Sequence, residues 1–150
     1  MSKKPIKLIV IVLAVALLPV LVMGGGHLYN NALLGGLEND LIDTVSKGDV
    51  EMIESRSVCG KLNGNGNGMD FFAALLVTGT ESEVQAVVDA LAEEYGEVGY
   101  LSQTEAKITV KYLEHESLSY FHQNYTDGEY YTVYVYTSDL PDFPMDLRGH

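Results

Sequence analysis

The chain has one cysteine, four prolines and no tryptophan. A single thiol, Cys59, excludes an intrachain disulfide. Outside the cytoplasm it either joins two chains or lies buried as a small hydrophobe. It also sits far from the apolar N-terminal run, so it is not a lipid-bearing cysteine at a signal cleavage site. Positive charge is equally scarce. From His27 onward six basic residues (Lys47, Arg56, Lys61, Lys107, Lys111, Arg148) face all 21 acidic ones, a formal charge of −15. Such a stretch is repelled by nucleic acid and by anionic lipid heads. What remains is a cationic ligand, a metal ion, a basic protein surface, or plain solvation.

One long uncharged segment is present instead. Leu8 to Met23 carries no charge and continues through Gly24, Gly25 and Gly26, 19 residues in all. As a helix that is about 28 Å, against a hydrocarbon core of about 30 Å. Lys3, Lys4 and Lys7 precede it, whereas Glu38, Asp40 and Asp43 come before the next basic residue, Lys47. The positive-inside rule then keeps the N-terminus in the cytoplasm and sends the C-terminal part outside.

The expected organisation is a cytoplasmic basic leader (1–7), a transmembrane anchor or signal segment (8–26), a juxtamembrane amphipathic helix (27–48) and an extracytoplasmic domain (49–150). Gly24 and Gly26 place small residues at −3 and −1 of a cut before His27, so secretion after cleavage is the alternative. The run exceeds the usual signal core of about 7–15 residues, which favours a retained single-pass anchor.

After a break at Gly24–Gly26, a helix is expected from about Asn31 to Lys47. Leu33, Leu34, Leu37, Leu41 and Val45 form its apolar face, Gly48 its stop, and Gly35–Gly36 a weak point. Met52–Leu62 and Met69–Thr78 read as strands, the second apolar enough to be covered on both faces. Thr80 and Glu83 form a capping-box pair before Val84, Val87, Val88, Leu91 and Tyr95, with Gly96 able to end the helix. Val98–Leu101, Ile108–Leu113, Leu118–Tyr125 and Tyr130–Thr137 read as strands, the last two flanking Asp127-Gly128, a hairpin signal. The fold class is α+β: an N-terminal transmembrane or signal helix, then a small antiparallel sheet packed with about two helices on one face.

The most unusual segment is Gly60-Lys61-Leu62-Asn63-Gly64-Asn65-Gly66-Asn67-Gly68-Met69. Asn-Gly steps take positive φ at low cost, and successive N–H groups in such turns can hold an anion or a carbonyl. Asn63, Gly64, Asn65, Gly66, Asn67 and Gly68 are therefore the candidate ligand-binding residues, with a plain hairpin loop as the competing reading. Known motifs do not fit. Lys61 is followed by Leu62 and a strand, not by Ser or Thr and a helix. Asn63, Asn65, Asn67 and Gly68 match the first, third, fifth and sixth positions of a calcium loop, but Ala74 stands where its bidentate Glu belongs.

This segment, the apolar strand after it and the closing Asp146-Leu147-Arg148-Gly149-His150 resemble a group of uncharacterised small Gram-positive proteins, membrane-anchored or exported. The resemblance runs from about Ser57 to His150. It implies an extracytoplasmic location and the domain limits, and no chemistry.

No catalytic, metal or cofactor site emerges. His115 and His122 lack the H-E-x-x-H spacing, no G-x-S-x-G is present, and Cys59 has no histidine nearby in sequence. Nine of the ten tyrosines fall between Tyr95 and Tyr136. They suit a recognition face or cross-strand packing. Asn124-Tyr125-Thr126 fits the glycosylation pattern, which matters only in a eukaryotic secretory pathway. The leading expectation is a non-catalytic module outside the membrane that binds a protein or cell-envelope ligand. A cell-envelope hydrolase using Asp, Glu or His, or an accessory subunit of a membrane complex, are the alternatives.

Overall fold

The computed structural model describes residues 4–62, 68–102 and 130–149, with side chains from residue 9 onward in the first stretch. Four of the expected features lie outside those residues: the two strands at 108–113 and 118–125, the Asp127-Gly128 turn, the Asn124-Tyr125-Thr126 sequon, and His115, His122 and His150.

Helix α1 (Lys4–Lys47) is a single 44-residue element. At the helical rise it is about 66 Å long. The expected break at Gly24–Gly26 does not occur, and the apolar segment and the amphipathic segment form one continuous rod. Three glycines lower helix propensity but remove no backbone hydrogen bond, so a helix held at both ends passes through them. Pro19 is also accommodated inside it, as membrane-type helices allow.

The two halves of α1 meet different surroundings. Ile9, Leu13, Leu17 and Leu21 are among large apolar side chains between 54% and 70% exposed along the first half. In the second half Leu37, Leu41 and Val45 are buried in the domain core. The first half is long and apolar enough to cross a membrane.

Strands β1 (Glu51–Gly60), β2 (Asp70–Thr78), β3 (Glu97–Ser102) and β4 (Tyr130–Thr137) form one antiparallel sheet in the order β1-β2-β4-β3. The fold is α+β, with two long helices on one face of the sheet. The β1–β2 pair runs from Glu51↔Thr78 to Gly60↔Asp70, so the Asn-Gly segment caps a hairpin. Strand β2 is central and covered on both faces, as its unbroken apolar run implies. Phe71, Ala73, Leu75 and Val77 face α1 and helix α2 (Glu81–Ala92), joined by Val133 and Val135 of β4. Phe72 and Ala74 face the other way, with Leu62, Val58, Tyr134 and Tyr136. Full burial of each phenylalanine, leucine or valine among them contributes about 1.5–3 kcal/mol.

Helix α2 starts as the sequence indicates. Glu83 N–H donates to Thr80 Oγ1 at 3.4 Å, and Glu83 Oε2 accepts from Thr80 N–H at 2.7 Å. The Thr80 N–H, and after it the Thr80 side chain, hold the Glu83 carboxyl below its usual range. The helix stops at Ala92, earlier than Gly96, and Tyr95 sits in the turn beyond. There its hydroxyl donates to Asp40 Oδ2 of α1 at 2.8 Å, tying the two helices together. Burial and that carboxylate push the Tyr95 pKa up.

Candidate functional site

The two segments that stand out in the sequence, the Asn-Gly loop and the C-terminal Asp-Leu-Arg-Gly, meet in space. Lys61 N–H donates to Arg148 O at 2.6 Å on the loop's entry side. Gly68 N–H donates to Gly149 O at 3.0 Å on its exit side. The short 3₁₀ turn Leu147–Gly149 thus clasps both stems of the loop. Close approach explains the glycines: a Cβ on Gly149 would lie 3.1 Å from Gly68 O, and one on Gly60 would lie 3.4 Å from Arg148 O. Of the candidate ligand-binding residues, Gly68 takes part in this clasp. Asn63, Gly64, Asn65, Gly66 and Asn67 lie outside the described residues.

The clasp is anchored on α1 by a buried polar cluster. Asn30 is fully buried, and its side chain is satisfied three times. Its Oδ1 accepts from Phe143 N–H at 2.8 Å, and its Nδ2 donates to Phe143 O and to Asp146 Oδ2, both at 3.2 Å. Asp146, also buried, receives Nη2 of Arg148 at 2.6 Å and Nε at 3.1 Å. Arg148 reaches on to Asn31 Oδ1 at 2.8 Å and to the His27 carbonyl at 3.3 Å. The Arg148 hydrogen bonds hold the Asp146 carboxyl down at about 2. A buried charge of this kind is tolerated because it is paired and fully bonded. Phe143 completes the joint by resting on Gly26, where a Cβ would lie 2.6 Å from its ring.

Cys59 is buried beside this cluster, with Sγ 3.9 Å from Asn30 O and 3.8 Å from Asn31 Oδ1. Burial pushes its thiol pKa up, outweighing the nearby Arg148, which pulls it down. A protonated, enclosed thiol is neither a poised nucleophile nor an accessible bridge between chains. His27 Nδ1 is 3.9 Å from Asp146 Oδ2, too far for a hydrogen bond. Among the described residues no group of three or more His, Cys, Asp or Glu is placed to hold a metal ion. Chemically the cluster is a latch: it fastens the C-terminal segment to α1 and to the loop stems.

A cleft of about 550 Å³ opens beside the latch, lined by Val58, Cys59, Lys61, Leu62, Leu147 and Arg148. Lys61 is exposed at its rim, whereas the Arg148 guanidinium is committed to Asp146 and Asn31. The described tyrosines of the sheet pack into the fold. Tyr134 stacks on Phe72 with centroids 6.0 Å apart, Tyr131 meets Tyr100 edge-on at 5.7 Å, and Tyr136 is buried. Cross-strand packing accounts for them without a ligand.

Compared with family models, with curated proteins and with solved structures, the chain has no match in any of the three. No pattern in the sequence announces the latch. Asn30, Asp146 and Arg148 belong to opposite ends of the chain, and no local pattern couples them. A signal was present in Asn30 itself, a polar residue one turn beyond a membrane-length helix.

Proposed function

We propose that this protein is a single-pass membrane-anchored module that holds its sheet domain outside the cytoplasm and uses the clasped Asn-Gly loop to bind a protein or cell-envelope ligand. The observation that carries this reading is the continuity of α1. Its exposed apolar half passes without a break into a half whose leucines are domain core. A domain so joined has a fixed height and orientation, which suits display of one edge to a partner. The basic flank at Lys3, Lys4 and Lys7 supports the orientation. Retention of the anchor, rather than cleavage before His27, is supported by the seat that Gly26 gives Phe143, which a cut there would remove.

The loop is favoured as the recognition element because both its stems are pinned by Arg148 and Gly149. Pinned stems lower the entropy that a loop loses on binding. The test is a thermal-shift panel on the full chain in detergent micelles, with cell-wall fragments, basic peptides, calcium, phosphate and nucleotides. A ligand that binds only the folded state at a hundred times its Kd adds about 2.7 kcal/mol. A shift abolished by Asn65→Ala with Asn67→Ala supports the loop; a shift that survives both substitutions moves the site elsewhere. Orientation is read by protease on intact cells: digestion of the domain is the expected result, and protection would reverse the topology.

A further inference from the structure

We infer that the segment from Phe143 to Leu147 is an interfacial collar, which lies in the head-group layer of the outer leaflet beside the point where α1 leaves the hydrocarbon. The inference rests on the membrane-anchored reading above and adds a second, peripheral contact with the same bilayer.

Its position along the helix carries the argument. The segment and Arg148 beside it meet α1 at levels between Gly26 and Asn31: Phe143 on Gly26, Tyr29 and Asn30, Asp146 on Asn30, and Arg148 on His27 and Asn31. Those levels extend about 7 Å past Gly26 at the helical rise. The polar layer of a bilayer is about 5–7 Å deep on each side. With the apolar run filling the hydrocarbon up to Gly26, the segment falls inside that layer.

Its chemistry fits the location. Met145 and Leu147 are 51% and 66% exposed; on the helix Leu28 is 70% exposed, and the half-exposed Tyr29 meets Phe143 edge-on at 6.4 Å. Leu28 lies two helical turns after Leu21, where the exposed large apolar run ends, and so on the same face of α1. An apolar surface one or two turns from a membrane-length helix loses hydration by resting on lipid, and interfacial elements bury their apolar side to about 5–10 Å. Several of the polar groups at the same level are satisfied internally. Asp146 and Arg148 neutralise each other, and the amides of Asp142, Phe143, Asp146, Arg148 and Gly149 all donate within the protein. Pro141 and Pro144 have no amide proton to leave unpaired. A surface built this way suits the head-group layer, where the remaining polar groups still meet water and lipid oxygens.

The test uses the full chain in phosphatidylcholine nanodiscs, with an environment-sensitive fluorophore on Met145→Cys, Leu147→Cys, Val15→Cys or Glu93→Cys. The native Cys59 is buried and the unmodified chain serves as the labelling blank. Val15→Cys reports the span itself and Glu93→Cys an exposed site at the C-terminal end of α2. The expected result is strong quenching of position 15 by deep lipid-borne spin labels. Positions 145 and 147 should be quenched by shallow ones and protected several-fold from iodide relative to position 93. Quenching at 15 with iodide access at 145 and 147 equal to that at 93 overturns the collar and leaves the anchor standing. Absence of lipid quenching at 15 overturns both. Because all four positions are exposed, the substitutions leave the core untouched.

Discussion

The Arg148 guanidinium grips the carboxylate of Asp146, two residues before it in the chain, through Nη2 at 2.6 Å and Nε at 3.1 Å. The pair gives the domain a defined acid sensitivity. Asp146 holds its proton at about 2 in the fold and at 3.8 when unfolded. A depressed carboxyl pKa contributes stability that is complete above about pH 4 and is lost as pH falls through 2. The amount is about 2 kcal/mol. Glu83 is depressed as well, so the contribution must be read as a difference between variants. Urea unfolding of the parent chain between pH 5 and pH 2.5 should lose about 1.5 kcal/mol more than Asp146→Asn does, the rest going below pH 2.5. Parallel curves for the two proteins would mean that the ion pair contributes nothing to folding.

Glycines in the same helix should respond with opposite signs. A Cβ on Gly26 would lie 2.6 Å from Phe143 Cδ1, so Gly26→Ala forces the ring off the helix. Overpacking of that kind costs about 1–3 kcal/mol. Gly36 has nothing within 4 Å of the same position, and Gly36→Ala should stabilise α1 by about 1 kcal/mol through helix propensity. Thermal unfolding should therefore shift down for Gly26→Ala and up for Gly36→Ala. Equal shifts in one direction would show that the Phe143 contact does not govern residue 26.

The capping box offers a cleaner local test. Thr80→Ala removes the hydroxyl that accepts from Glu83 N–H, while the Thr80 N–H bond to Glu83 Oε2 belongs to the backbone and persists. The cost should be about 1 kcal/mol. The four buried residues that α2 contributes, Val84, Val87, Val88 and Leu91, remain packed, so the cooperativity of unfolding should not change. A loss well beyond 2 kcal/mol would imply that the helix end holds more than its own first turn.

Where function of residues was local, the sequence was readable. The Thr80–Glu83 spacing, the apolar run of β2 and the alternation in Tyr130–Thr137 each name their element, because caps and periodicities act within a few residues. Gly24–Gly26 misled for the converse reason. Intrinsic propensity argues for a break, but the helix is fixed by its apolar half on one side and by Leu37, Leu41 and Val45 on the other, and tertiary fixation outweighs about 1 kcal/mol per glycine. The Asn-Gly loop was conspicuous from composition alone. Its clasp was not, because Lys61–Arg148 and Gly68–Gly149 are backbone contacts between distant parts of the chain. Backbone pairing leaves no side-chain signature except the glycines that permit it.

The Cys59 thiol reports whether the clasp is closed. Burial, more than any charge, raises its pKa, and Arg148 partly offsets this. In the native chain iodoacetamide at pH 8 should label Cys59 far more slowly than it does in urea, since only the accessible thiolate reacts. Arg148→Ala then separates two effects. Loss of the guanidinium charge alone would raise the thiol pKa and slow labelling further. Loss of its bonds to Asp146, Asn31 and the His27 carbonyl frees the C-terminal segment and uncovers the thiol, which speeds labelling. We expect the second effect to win, because desolvation is the larger cause of the raised pKa. The labelling rate of Arg148→Ala should rise several-fold, with its pH midpoint moving back toward 9.0. A slower rate with a higher midpoint would mean that the segment stays docked through Asn30 and Phe143 without its arginine.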